Sequence, residues 1–252
     1  AGGATQAQFL SVVALPPLVA LLSKFCEEAE NVSSSTWALL RAEEHVARLS
    51  LAMHPTHTAL VVEALCRCES AESAHDAVCA LSILSCDAVS RKEMIVDGRA
   101  IPALFALLAD SAHMNQSSFL TSSRHPITVG TLCARFAAMT LGNFSLEERG
   151  RDDVCHVPHG VHSLLNTIRS QDPEASCFAL LCMGNLFMQP SARSMFLNCP
   201  GSIETLAECL EAVSVHASRY AVGAIRNLAS DDPSREALLS VQGVVERLHE
   251  LS

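Results

Sequence analysis

Three segments with one shared pattern decide the fold, namely RFAAMTLGN at 135–143, CFALLCMGN at 177–185 and RYAVGAIRN at 219–227. Each segment ends in an asparagine, and an alanine stands six residues before it. Successive segments are equally spaced along the chain, and a constant period of about 42 residues is typical of a helical array. Leucines further along the chain recur at the same interval, at Leu164, Leu206 and Leu248.

The repeat unit is predicted to contain three helices in succession. In the last unit, a short first helix over 232–242 has Asp232 as its cap and Pro233 at the first helical position. A glycine then interrupts the chain and opens the second helix, and a longer third helix ends at the asparagine. One unit cannot bury both of its faces, so neighbouring units stack to give a continuous core. The glycines expected to open the second helices are Gly160, Gly201 and Gly243.

The pattern continues toward the N-terminus, where it fits less closely. Leu104 precedes Leu164 by a longer interval than the one between the later leucines, so the Ser-rich segment 110–127 is predicted to be an inserted loop. In the preceding unit, Ile83 takes the place of the asparagine, and another insertion is expected at Glu27–Ser35. We predict a single domain over 1–252, with approximate units 11–53, 58–97, 98–158, 159–200 and 201–252.

Two segments carry a resemblance to a known family, GRAIPALFALL at 98–108 and AVGAIRNLAS at 221–230. They resemble the second and third helices of armadillo repeats. The resemblance covers most of the chain and is clearest from residue 98 onward. It implies an all-α fold, a right-handed α-solenoid of about five armadillo-like three-helix repeats.

The resemblance also implies a role for the repeated asparagines. In armadillo proteins the third helices line a concave groove, so Asn143, Asn185 and Asn227 are expected to lie there and bind the backbone of an extended partner segment. A side-chain amide offers both a donor and an acceptor, which suits a peptide backbone whatever its side chains are. The alternative is that these amides only satisfy neighbouring backbone groups of the chain itself.

Aromatic and basic residues recur together with the asparagines. Seven residues is almost two helical turns, so an aromatic residue seven positions before each asparagine shares its face. Arginine stands eight positions before two of the asparagines, and a guanidinium suits carboxylate or phosphate. The alternative is that the rings pack between repeats and the arginines pair with local acids. The residues added to the expected partner-binding set are Phe136, Phe178, Tyr220, Arg135 and Arg219.

Composition and charge narrow the range of partners and locations. The 252 residues carry a net charge of −10, which argues against a general nucleic-acid binder. No apolar run is long enough to span a bilayer, although a lipid anchor on a preceding segment stays open. The 11 cysteines stand mostly in apolar helical contexts, and we interpret them as reduced core residues. We therefore expect an intracellular protein, most simply a cytoplasmic one.

Few motifs indicate chemistry. Cys155, His156, His159 and His162 stand close together, but a closed zinc site needs four converging ligands and no distant partner pair is evident. The sequence has neither a glycine-rich phosphate loop nor a local nucleophile–base set. We therefore expect no metal, no cofactor and no enzymatic activity.

The expected function is a non-enzymatic scaffold that binds a protein or peptide segment in the groove. One alternative is a fixed structural subunit of a larger cytoskeletal or axonemal assembly, using its convex face or its insertions. A third hypothesis is a nuclear transport adaptor. Importin-α-like armadillo proteins carry tryptophan four residues before the asparagine, and the corresponding residues here argue against that role, since they are Met139, Leu181 and Gly223.

Overall fold

The part of the chain that can be described lies between residues 57 and 250. In this computed structural model the described residues are 57–68, 70–111, 128–170, 172–211, 214–241 and 243–250. The predicted unit 11–53, the insertion at 27–35 and most of the insertion at 110–127 lie outside them. The chain divides into two compact units, with the boundary between Thr140 and Leu141. The predicted single domain with five repeats stays a prediction.

Two helices of the first compact unit begin at polar side-chain caps. Ser70 and Ser73 form a reciprocal capping box before the second helix, and Asp87 accepts backbone hydrogen bonds at the start of the third. The first helix packs against the next three, so its apolar residues form a shared core. The helices are α1 His57–Cys66, α2 Ala71–Ser85, α3 Ala88–Asp97, α4 Ala100–Asp110 and α5 Val129–Phe144, which runs on into the second unit.

The second compact unit repeats a short helix, a second short helix and a longer third helix. Proline stands in the first turn of three of its helices, where the missing N–H is not needed. A short 3₁₀ turn, Cys209–Glu211, follows its fifth helix. The helices are α6 Glu148–His156, α7 Gly160–Ile168, α8 Pro173–Leu186, α9 Pro190–Leu197, α10 Ser202–Glu208, α11 Val215–Leu228, α12 Asp232–Ser240 and α13 Val244–Glu250. The predicted all-α fold of three-helix repeats is confirmed.

The third helices α8 and α11 pack directly against each other through small residues. Ala179 and Ala221, the recurring alanines, are fully buried. At Gly184, an added Cβ would lie 3.3 Å from both the Cα and the Cβ of Ala224. A side chain at residue 184 would therefore push the two helices apart, and the absence of one permits their close approach.

A repeated arginine donates a hydrogen bond to a backbone carbonyl at the end of each third helix. The sequence analysis did not predict this arginine. The last carbonyls of a helix lack intrahelical donors, and a cation there also complements the helix dipole. In each repeat the guanidinium Nη1 donates to the carbonyl oxygen six residues earlier, over 2.6 to 3.0 Å. Successive arginines are separated by the same intervals as the repeated leucines of the second helices. They are Arg91, Arg151, Arg193 and Arg235.

Arg193 makes a second contact that links two neighbouring first helices. Its Nε donates to the carboxylate of Asp231, which also accepts a hydrogen bond from the Ser234 backbone N–H as the cap of α12. Hydrogen bonds from Ser234 and then from Arg193 lower the pKa of Asp231 to about 2. The charged carboxylate is therefore the form that joins α9 to α12.

The turns before the second helices contain one deviation from the predicted pattern. Gly98, Gly201 and Gly243 adopt positive φ values of 76°, 68° and 88°, as expected of residues in a left-handed turn. In the intervening repeat it is His159 that adopts this conformation, with φ of 61°. Gly160 is the first residue of α7, as predicted, and the left-handed turn before the helix is made by His159 one residue earlier.

Replacing His159 with glycine is expected to raise the free energy of unfolding by about 0.5–1 kcal/mol. The left-handed conformation costs a residue with a Cβ about 1–2 kcal/mol, and the greater freedom of glycine in the unfolded chain offsets part of the gain. Chemical denaturation measures this change.

The matched control for this variant is His162→Gly, because His162 is exposed and lies within α7. Glycine at that helical position should lower the stability by about 1 kcal/mol. If both substitutions lowered stability equally, His159 would not hold a left-handed conformation in solution.

Candidate partner-binding surface

The third helices of the second compact unit expose one continuous set of side chains. We call this set the third-helix face. Its members recur at intervals of three or four residues along each helix, which keeps them on one side. The third-helix face comprises Cys177, Leu181, Asn185 and Met188 from α8 and its end, and Arg219, Gly223, Arg226 and Asn227 from α11.

The asparagines of this face are half-buried, and each is anchored to the preceding repeat. Asn227 Nδ2 donates to the carbonyl oxygen of Gly184 over 2.8 Å. Asn185 Nδ2 donates to Ser145 Oγ over 3.0 Å, and that hydroxyl donates in turn to the carbonyl oxygen of Gly142 over 2.6 Å. Both amides therefore reach equivalent backbone carbonyls, one directly and one through a hydroxyl.

The difference between the two anchors follows from one residue of the repeat. Phe187 occupies the position of Ser145 in the next repeat and has no hydroxyl, so Asn227 bonds to the backbone itself. These bonds match the alternative interpretation of the asparagines, in which the amides bond to neighbouring groups of the chain itself. They use a donor of each amide, and the side-chain oxygen Oδ1 of Asn185 makes no hydrogen bond with any described residue. An amide held in this way has its acceptor fixed in direction.

Of the recurring aromatic row, only Tyr220 is partly exposed. Phe136 and Phe178 are 8% and 6% exposed, and Phe136 contacts His75 edge to face with ring centroids 5.8 Å apart. Tyr220 is half-buried, and burial, together with the nearby Cys177 thiol, raises its pKa to about 12. The two phenylalanines therefore lie under the surface, and direct contact with a partner is open mainly to Tyr220.

Two arginines lie on the exposed side of α11, and only one of them was expected. Arg219 is exposed and makes no hydrogen bond or ion pair with any residue that the structure describes. Arg226 is also exposed, and its Nη2 lies 3.5 Å from the side-chain oxygen of Asn227. Arg226 occupies the position of the repeat that is glycine in the two preceding repeats, at Gly142 and Gly184. The replacement of this recurring glycine by a charged residue was the sequence signal that could have identified it. Arg135, the other predicted arginine, is half-buried in the first unit.

Gly223 leaves an opening between these two arginines. A Cβ built at Gly223 would have no atom within 4 Å. Leu181 occupies the equivalent position of α8, and its Cδ2 would lie 3.4 Å from a Cβ at Gly142. Beside this opening, Met188 is 59% exposed, so the face combines apolar surface with cationic groups.

The cysteines and histidines of the described ranges form neither disulfides nor a metal cluster. Ten cysteines there are free thiols, and burial raises the pKa of Cys133 and Cys182 to about 12. His156 is exposed and contacts the Asp152 carbonyl oxygen, and His162 is exposed on α7. No group of three or more His, Cys, Asp or Glu side chains within those ranges could hold a metal ion. None of the helices described above is long and apolar enough to cross a lipid bilayer.

The stacked three-helix repeats, with asparagines at the ends of the third helices, define a helical-repeat protein. No protein-family model and no curated protein matches the chain. Solved structures do match it, and they give the type of repeat. A computationally designed armadillo repeat protein for modular peptide recognition has 17% sequence identity and a TM-score of 0.65, covering 94% of this chain and 91% of that chain.

A second designed protein supports the same assignment. It is a designed armadillo repeat protein solved in complex with the peptide (KR)4, with 18% identity and a TM-score of 0.63. The match covers 94% of this chain and 91% of that chain. The chain therefore has an armadillo-repeat fold, which confirms the resemblance seen in its second and third helices.

Proposed function

We propose that the chain is a non-enzymatic scaffold for protein–protein interaction that binds an extended partner segment along its third helices. The observation that carries this proposal is the anchoring of Asn185 and Asn227. Each amide is fixed by a bond to the preceding repeat, so its remaining hydrogen-bonding groups are oriented before a partner arrives. Such preorganisation lowers the entropy cost of binding a flexible segment.

The other predicted residues take different parts in this proposal. Asn143, Asn185 and Asn227 hold the partner backbone, and Tyr220, Arg135 and Arg219 contact its side chains. Phe136 and Phe178 support the surface from beneath, since their rings are buried. Peptide binding by a designed protein with the same fold supports a protein or peptide segment as the partner. The free thiols support a reducing intracellular compartment, most simply the cytoplasm.

Affinity capture from a native lysate tests the proposal. Changing Asn143, Asn185 and Asn227 together to alanine should remove one specific partner that the unchanged chain retains. Because these substitutions also remove anchoring bonds, a control must separate stability from binding. Arg193→Ala is that control, since it removes hydrogen bonds made by α9 and leaves all three amides and the anchoring bonds of Asn185 and Asn227 in place.

The two variants give opposite expected outcomes for the partner. We expect Arg193→Ala to retain it, even though the variant melts at a lower temperature, and the triple variant to lose it. An unchanged set of partners in the triple variant would contradict the proposal. That outcome would favour the alternative of a fixed structural subunit that uses its convex face or its insertions.

A further inference from the structure

We infer that the partner segment is acidic, and that one of its carboxylates is held above Gly223 between Arg219 and Arg226. This inference rests on the proposed function and assigns its ligand class. It concerns α11 and the neighbouring part of α8, all within the second compact unit. Three features support it: the pairing of the arginines, the opening at Gly223 and the apolar surface beside it.

The arginines of the second unit differ in whether an acid of the same chain neutralises them. Arg219 makes no hydrogen bond or ion pair within the described residues, and Arg226 reaches the neutral amide of Asn227. Arg151 and Arg169 donate to backbone carbonyls. Four others pair with carboxylates, namely Arg149, Arg193, Arg235 and Arg247. Within the described part of this unit, Arg219 and Arg226 are therefore the arginines that bond neither to a carboxylate nor to a backbone carbonyl, which leaves them for a carboxylate from outside.

The spacing of these two arginines suits a single anionic group between them. Arg219 and Arg226 are seven residues apart on one helix, which is a rise of about 10.5 Å and almost two turns. Gly223 lies between them on the same side, and no atom lies within 4 Å of its missing Cβ. A carboxylate above Gly223 is within reach of both guanidinium groups, each of which can donate two hydrogen bonds.

The neighbouring surface of α8 provides the apolar half of the site. Leu181 is half-buried and Met188 is mostly exposed, and both lie on the side of the half-buried Asn185. The acidic side chain on this side of α8 is Glu174, which lies in the first turn, at the end of the helix opposite Met188. A segment with alternating acidic and apolar residues therefore meets cationic and apolar surface together.

This charge pattern is opposite to that expected of a site for a basic peptide. A designed protein with the same fold was solved with the basic peptide (KR)4, whereas α11 of this chain presents arginines. The chain as a whole carries a net charge of −10, so a preference for an acidic segment must arise locally at α11. Added salt should weaken such binding, because it screens the exposed charges.

Three labelled peptides of equal length test the inference by fluorescence anisotropy. They consist of repeated Asp-Leu-Ser, Asn-Leu-Ser or Lys-Leu-Ser triplets. Side chains of an extended chain alternate between two faces, so a three-residue repeat places every residue type on both faces. We expect the Asp peptide to bind about tenfold more tightly than the Asn peptide, as one charge-assisted contact would give. Arg219→Glu and Arg226→Glu should each remove about this factor.

The control variant is Arg149→Glu, which makes the same change of net charge on α6. It should leave the preference for the Asp peptide unchanged. Gly223→Leu is a further variant that fills the opening while both arginines remain. Since leucine is the residue at the equivalent position of α8, this variant should fold and yet bind the Asp peptide less tightly.

Several outcomes would overturn the inference without touching the proposed function. They are equal or tighter binding of the Asn or Lys peptide, no binding of the Asp peptide, and equal effects of Arg219→Glu and Arg149→Glu. Binding of the Asn peptide that disappears in the triple asparagine variant would keep the scaffold and exclude its acidic specificity. The capture experiment with Arg193→Ala judges the scaffold independently.

Discussion

Replacing Arg193 with alanine is expected to lower the free energy of unfolding by about 1–3 kcal/mol. The side chain is 10% exposed, and its Nη1 donates to the Phe187 carbonyl oxygen over 2.6 Å while its Nε pairs with Asp231. Alanine leaves the buried Phe187 carbonyl without this donor and removes the cation from the Asp231 carboxylate, whose side chain is 34% exposed. Urea denaturation followed by circular dichroism measures the loss.

Arg235→Ala is the matched comparison for this variant. Arg235 occupies the same position of the next repeat and donates to the Ala229 carbonyl oxygen over 2.8 Å. Its side chain is 49% exposed, so water can replace the lost bonds and the expected cost is about 0.5–1 kcal/mol. Equal losses in the two variants would show that burial does not set the contribution of this arginine.

Replacing Gly184 with alanine is expected to lower the free energy of unfolding by about 1–2 kcal/mol. Alanine favours a helix over glycine by about 1 kcal/mol, so the sign depends on space. At Gly184 the new Cβ would lie 3.3 Å from two atoms of Ala224, one of them in the backbone. Separating two packed helices costs about 1–3 kcal/mol, which exceeds the helical gain.

Gly223→Ala is the control, because Gly223 lies in a helix and has no atom within 4 Å of its missing Cβ. There the helical preference acts alone, and stability should rise by about 0.5–1 kcal/mol. Thermal and urea denaturation of both variants test the contrast. A rise at residue 184 as large as that at residue 223 would mean that α8 and α11 are less closely packed than described.

The fold was predictable because its defining residues recur in the sequence itself. A constant period with a fixed alanine and asparagine indicates the same local structure in three successive repeats. The small residues of the third helices allow these helices to pack closely. The arginine at the start of each repeat has the same periodicity and was still missed. Its partners are backbone carbonyls, which every residue has, so no complementary side chain appears in the sequence to indicate the bond.

The candidate site was predictable only in part, for two physical reasons. Helical periodicity places Phe178 and Asn185 on one side of α8, but it does not say how much of that side a neighbouring helix covers. Burial depends on the approach of α11, which the small residues Gly184 and Ala224 bring very near. The turn before α7 was assigned by residue type, and His159 adopts the conformation that glycine usually takes.

The direction of the repeated hydrogen bonds has a consequence for synthesis on the ribosome. Arg193 and Asn227 donate to carbonyls of Phe187 and Gly184, which precede them in the chain. Each of these acceptors is therefore translated before its donor, and a finished repeat presents its carbonyls to the next one as it emerges. Assembly can follow the order of translation, so that each newly made repeat docks on a surface that already exists.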